Sequence, residues 1–180
     1  MAVHKSVLLI SLQGKSVKLE INGPEIMVDQ NKYQKFVNTS IHLFRNMVDH
    51  GLEEEHVRIE KTKPKVGKIK GDFSLSNGEI KIVIEDDGQG LDLNRIKEKC
   101  LEKKLKAEEE LDNLKEEEVA QLIFEPGIST KDKVSTYSGR GVGLDAVREE
   151  IKSLGGDINV EFSPDNGTRF VITIPYQKAS

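Results

Sequence analysis

Isoleucine recurs at every second position across Ile80, Ile82 and Ile84, and the run then breaks into Asp86-Asp87-Gly88-Gln89-Gly90. A period of two makes no stripe on a helix but lines one face of a pleated strand, so residues 79–85 are predicted to form a strand with its isoleucines turned inward. Asn77-Gly78 stands just before it and suits the positive φ angles of a two-residue turn, which makes residues 68–75 its hairpin partner. Any fold open to this chain therefore contains a sheet with one apolar face.

Other segments extend that sheet and cover it. Residues 7–12 and 17–21, the second alternating through Val17, Leu19 and Ile21, predict a small sheet edge, with Asn22-Gly23-Pro24 as a turn before residues 25–28. Residues 158–162 and 169–174 predict a closing pair of strands around Pro164-Asp165-Asn166-Gly167. The helical period governs residues 31–50, where Val37, Ile41, Phe44 and Val48 fall at i, i+4, i+7 and i+11 and Gly51 supplies a stop. That stripe is expected to face the core. Helices are also expected at 94–104, at 119–124 before Pro126-Gly127, and at 142–154, where Val147, Ile151 and Leu154 share a side and Gly155-Gly156 ends it. Residues 102–118 hold eight acids against four lysines, the pattern of a solvated helical face inside one domain.

Length and composition exclude several classes. A chain of 180 residues can bury a core without covalent staples. No segment approaches the roughly 18 apolar residues of a membrane helix, and Met1-Ala2-Val3-His4 lacks the layout of an export signal, so a soluble, cytoplasmic protein without membrane contact is expected. The single cysteine, Cys100, forbids an internal disulfide and a C-x-x-C metal site, and its neighbours Ile96 and Leu101 place it in or near the core. The net charge of −4 equals the excess in 102–118, so the rest of the surface is balanced. With six Phe, three Tyr and no Trp, there is no basic, ring-studded stripe for nucleic acid.

Three segments carry candidate chemistry. On a helical wheel, His42, Arg45, Asn46, Asp49 and His50 gather opposite the apolar stripe of residues 31–50, as the wall of a site or as an ordinary solvated face. In Asp86-Asp87-Gly88-Gln89-Gly90, Gly88 and Gly90 allow a sharp turn and a close ligand approach, and a carboxylate at the strand end can accept from an exocyclic amine; a plain turn reads the same way. Gly139-Arg140-Gly141-Val142-Gly143 opens a helix, and its consecutive N–H groups together with the helix N-terminus suit phosphate. Taken alone that pattern is weak, and no parallel strand–helix–strand unit is evident before it. The preceding Pro126-Gly127-Ile128-Ser129-Thr130-Lys131 has the composition of a mobile lid.

In order and spacing, H-L-F-R-N-M-V-D-H-G, D-D-G-Q-G, F-E-P-G-I-S-T-K, G-R-G-V-G-L-D and the terminal N-G-T resemble the ATP-binding domain of histidine kinases. The form is similar to that of the chemotaxis kinases, through H-L-F-R-N followed by D-H-G and through K-P-x-x-G at Lys63 to Gly67. The likeness runs from Gln13-Gly14-Lys15 to Pro175.

The resemblance implies an α+β, two-layer α/β sandwich of the Bergerat type, a mixed sheet with helices on one face, as one domain over 1–180 with an ATP lid at about 105–138. It implies ATP and Mg2+ as ligands. Asn46 would hold the metal against the phosphates, and Asp86 would accept from the adenine amino group with Thr168 assisting through water. Gly139, Arg140, Gly141, Val142 and Gly143 would receive phosphates, with Arg45, Asp49, His50, Gly88, Gly90, Ser129, Thr130 and Lys131 as further nucleotide contacts. His42 stands four residues before Asn46, where hydrolysing relatives carry a glutamate, so the resemblance implies an acceptor histidine rather than water; the alternative for His42 is a structural hydrogen bond. An imidazole with a pKa of about 6.5 could orient or deprotonate that acceptor. The implied partners are a phosphoacceptor histidine domain in cis or trans, a response regulator, and dimerisation or coupling domains, none of which this sequence matches. An ATP hydrolase and a nucleotide-gated interaction module remain the alternatives.

Overall fold

The computed structural model describes residues 3–12, 14–128 and 143–177. Strands β1 (Val3–Leu12) and β2 (Lys15–Pro24) form the edge hairpin, and β3 (Gly67–Ser76) and β4 (Glu79–Asp86) form the one built around Asn77-Gly78. Asn77 and Gly78 take φ of 53° and 76°, the double positive φ that a tight turn with strand-matched twist requires. Helices α1 (Gln30–Asn46), α2 (Glu55–Glu60), α3 (Leu93–Glu102), α4 (Glu108–Asp112), α5 (Glu116–Gln121) and α6 (Leu144–Ser153) follow in chain order, and β5 (Asp157–Ser163) and β6 (Gly167–Pro175) close the chain. The sheet runs β1-β2-β3-β4-β6-β5, and β2 and β3 are parallel across the α1–α2 connection while the other neighbours are antiparallel. This is the mixed, helix-covered α+β sheet expected.

The two faces of the sheet differ sharply. Inward, Ile80, Ile82 and Ile84 meet Ile158, Val160, Phe170, Ile172 and Ile174, and α1, α5 and α6 cover them with Phe36, Leu43, Val119, Val147 and Ile151. Outward, the residues in register across five strands are Glu20, Lys70, Glu85, Arg169 and Glu161, alternating in sign at every step. Lys70 and Arg169 each lie 3.6 Å from Glu85, and Arg169 lies 2.8 Å from Glu161. Opposite charges directly across strands support the pairing, and a charged open face resists further docking.

The structure corrects several readings. Helix α1 does not bury the Val37–Ile41 stripe: Val37 and Ile41 are 59% and 57% exposed, and Tyr33, Phe36 and Leu43 face the core instead. The apolar residues of α1 outnumber one stripe, and its packing against α6 selects the other one. The helix also stops at Asn46, and Met47–Gly51 continues as a π turn, which rotates Met47 and Val48 into the core. Asn22-Gly23-Pro24 is the end of β2 rather than a turn, and Gly23 permits a φ of 147° where the strand leaves the sheet beside Phe73. The first part of the expected 105–138 lid is packed structure. Leu111, Val119, Leu122, Phe124 and Ile128 are all buried, and the helix expected from 119 begins at Glu116. Cys100 is fully buried, as the sequence suggested. Among the described residues no helix is long and apolar enough to cross a membrane.

Candidate functional site

Where β4 ends, its inward alternation puts a carboxylate in the row that isoleucines fill before it. Asp86 is 6% exposed. Its Oδ1 accepts from the Gly88 N–H at 2.9 Å and, weakly, from the Thr168 N–H at 3.4 Å, while its buried Oδ2 has no hydrogen-bond partner among the described residues. Loss of solvent on burial pushes the Asp86 carboxyl up to about 6, against the pull of the two amides.

Glycines crowd this carboxylate from two sides. A Cβ on Gly88 would stand 2.1 Å from the Gly51 carbonyl oxygen, and one on Gly167 would stand 1.9 Å from that of Asp86. Backbone must therefore move if either becomes alanine. Gly88→Ala is expected to destabilise the domain by about 2 kcal/mol, at the scale of an overpacked core, which chemical denaturation would read. An unchanged midpoint would show that the turn tolerates the methyl.

Asp86 lies on the floor of a cleft of 570 Å³. Asn46, Asp49, His50, Gly90 and Thr168 line it too, so α1, the π turn, the glycine-rich loop and β6 deliver one constellation. Leu91, Ile96, Ile123 and Phe170 supply an apolar wall suited to a flat ring. Among the described residues the lining does not include His42, half-buried on α1, or the exposed Arg45. Gly143 caps the start of α6, whose Leu144 reaches the cleft. Ser129, Thr130, Lys131, Gly139, Arg140, Gly141 and Val142 lie outside the described residues.

A buried ionic network that the sequence reading missed holds the loop after Asp86. Arg58, 1% exposed, donates to Glu53 Oε2 at 3.1 Å, Asp87 Oδ2 at 2.8 Å and the Pro64 carbonyl at 2.7 Å. Lys63 Nζ donates to Glu53 Oε1 at 2.7 Å and to the Asp87 and Gly88 carbonyls at 3.0 and 2.6 Å. Burial works against the charge on Glu53, but the Lys63 hydrogen bond and the Arg58 charge hold its carboxyl below the usual range. The K-P-x-x-G run was the available signal for Lys63; nothing in the sequence marks Arg58 as a core residue.

The residues present fit a nucleotide and, less directly, its metal. Among the described residues no group of three or more His, Cys, Asp or Glu could cage a cation. The Asn46 amide in the cleft lining is an oxygen donor of the kind magnesium accepts beside a nucleotide's phosphate oxygens.

Comparison with known proteins shows the family. A family model described as histidine kinase-, DNA gyrase B- and HSP90-like ATPase matches residues 36–178. The chemotaxis protein CheA of Bacillus subtilis is 39% identical over 161 residues, 89% of this chain and 24% of that protein. CheA of Halobacterium salinarum is 36% identical over 163 residues, 91% of this chain and 24% of the relative. The sensor histidine kinase CheAY of Helicobacter pylori is 38% identical over 162 residues, 90% of this chain and 20% of its own length. The chain thus spans about a quarter of the length of the curated relatives it matches. Among solved structures, the blue-light activated histidine kinase of Erythrobacter litoralis EL346 superposes with a TM-score of 0.51 at 16% identity over 88% of this chain and 35% of that one. That likeness concerns the fold alone.

Proposed function

Since the chain belongs to the family of histidine kinase-, DNA gyrase B- and HSP90-like ATPases, we propose that it serves a chemotaxis-type kinase as the catalytic domain that binds MgATP and passes the γ-phosphate to a histidine on another domain, in cis or in trans. The observation that carries this reading is Asp86 Oδ2, buried in the cleft lining without a hydrogen-bond partner among the described residues. An ionised carboxylate can only accept, so it suits the amino group of adenine and repels the ring carbonyl that guanine carries at the same place. Bound magnesium supplies charge neutralisation on the phosphates, and Asn46 is the described residue positioned to hold it.

The protein's own part is positioning, since phosphoryl transfer needs little covalent help. The apolar wall and Asp86 fix the ring, and Asn46 at the end of α1 sets the phosphate end. His42, where hydrolysing relatives have a carboxylate, disfavours water as acceptor and leaves an imidazole to orient an incoming histidine. Ser129, Thr130, Lys131 and the Gly139 to Gly143 amides complete the phosphate contacts in this reading. Its partners are a histidine-bearing domain, a response regulator downstream, and the dimerisation and coupling parts of a larger cytoplasmic kinase.

The test is incubation of the chain with γ-labelled ATP, with and without a separate histidine acceptor domain. The chain is expected not to label itself, and to label the acceptor slowly, because a free partner lacks the millimolar effective concentration of a tethered one. Asn46→Ala should abolish magnesium-dependent labelling. Rapid phosphate release without acceptor would instead make this an ATP hydrolase, and stoichiometric label on His42 or His50 would overturn the roles given to them.

A further inference from the structure

The π turn between Asn46 and Leu52 ends with its carbonyls pointing away from the helix, and those of residues 48–52 are taken up by two residues distant in sequence. Lys15 Nζ donates to the Val48 oxygen at 2.8 Å and the Leu52 oxygen at 2.7 Å, with the Asp49 oxygen at 3.4 Å. From the opposite side, Gln89 donates through its backbone N–H to the Gly51 oxygen at 2.9 Å and through Nε2 to the His50 oxygen at 2.8 Å. Helix ends carry partial negative charge on such carbonyls, and an ammonium offers three donors in a compact cation.

We propose that Lys15 is a positioning residue for the nucleotide: its ammonium acts as a tethered cation that fixes the π turn against the start of β2. The proposal rests on the adenine-site reading above. The turn it holds carries Asp49, His50 and Gly51 into the cleft, and the Gly51 α-carbon faces the Asp86 carboxylate so closely that a Cβ there would lie 3.2 Å from Oδ2. Lys15 follows Gly14 and opens β2, so the clamp joins the turn to the sheet rather than to another loop. Without the ammonium, the Val48 and Leu52 carbonyls lose their donor and the turn is free to rotate away from Asp86.

The role differs from that of a general structural lysine in being replaceable by a free cation of the right shape. Calorimetry of MgADP binding to Lys15→Ala, at a temperature where both proteins are fully folded, should show affinity weakened by about 10-fold, the low end for losing hydrogen bonds to a charged group. Methylammonium chloride should restore most of that loss, and tetramethylammonium chloride, which has no N–H donor, should not. Should the alanine variant not fold, Lys15→Met keeps the apolar stem without the charge and should show the same weakening. Unchanged affinity in a folded variant would overturn the proposal, as would equal rescue by both salts. A wild-type chain that binds no MgADP would overturn the adenine-site reading itself, and with it the role given to Lys15.

Discussion

Asp86→Asn is expected to yield a more stable domain that holds adenine nucleotides less tightly. An ordinary aspartate titrates at 3.8, and burial pushes Asp86 up to about 6, so the folded chain grips this proton harder than the unfolded chain does. The stability so gained is fully present below about pH 4 and is lost as pH rises through 6, leaving at neutral pH the cost of a buried, half-partnered charge. The gap between 3.8 and about 6 corresponds to roughly 3 kcal/mol. Asparagine keeps an oxygen for the Gly88 N–H and carries no charge. Its domain should therefore melt about 5 °C higher than wild type at pH 7.5, with the difference vanishing towards pH 4. The same amide presents a donor where the adenine amino group also donates, so MgADP affinity should fall by 10-fold to 150-fold, about 1.5 to 3 kcal/mol. Wild-type affinity should itself weaken below pH 6, with proton release on binding near that pH. Nucleotide affinity left intact in Asp86→Asn would remove Asp86 from the adenine site.

Arg58→Met should have the largest effect on stability. Removing one partner of a buried ion pair strands the others, typically at about 3 to 5 kcal/mol. Here Asp87 loses its Arg58 ion pair, and Glu53, whose side chain is 3% exposed, keeps the cations of Lys61 and Lys63. A fall in melting temperature of about 10 °C is expected. Arg58→Lys should recover little of it, since one ammonium cannot span Glu53, Asp87 and the Pro64 carbonyl as the guanidinium fork does. Melting within about 2 °C of wild type would show that the network is not what holds the loop.

The strands and their hairpins were legible because alternation and an Asn-Gly turn are local signals, whereas the parallel pairing of β2 with β3 and the place of β6 between β4 and β5 rest on contacts distant in sequence. Ile80, Ile82 and Ile84 did face inward, and the pair of closing strands formed around the predicted turn. Helix α1 shows where local reading runs out. Both Val37–Ile41 and Tyr33–Phe36–Leu43 satisfy a helical stripe, and only the neighbouring α6 decides between them. Of the cleft residues, the helical wheel gathered Asn46, Asp49 and His50, the end of the isoleucine strand offered Asp86 and Gly90, and Thr168 was reached through motif resemblance alone; the structure brings them together. Arg58 and Lys15 escaped because each reaches partners far away in sequence, Asp87 and the residue 48–52 carbonyls, and Glu53 because a charged residue in a polar stretch looks solvated until its partners are known. The Met47–Gly51 π turn escaped for a similar reason, as one inserted residue leaves no trace in composition.

The order of strands has a consequence for how such a chain is made. β6, the last of the six described strands in chain order, does not add to an edge: it slots between β4 and β5, and among the described residues β5 pairs with it alone. A nascent chain that has not yet reached Gly167 has an unpaired flank on β4, a strand without a neighbour in β5, and an Asp86 not yet met by the Thr168 amide. A chain truncated before Gly167 would be left with open strand edges on β4 and β5 for chaperones or proteases to find.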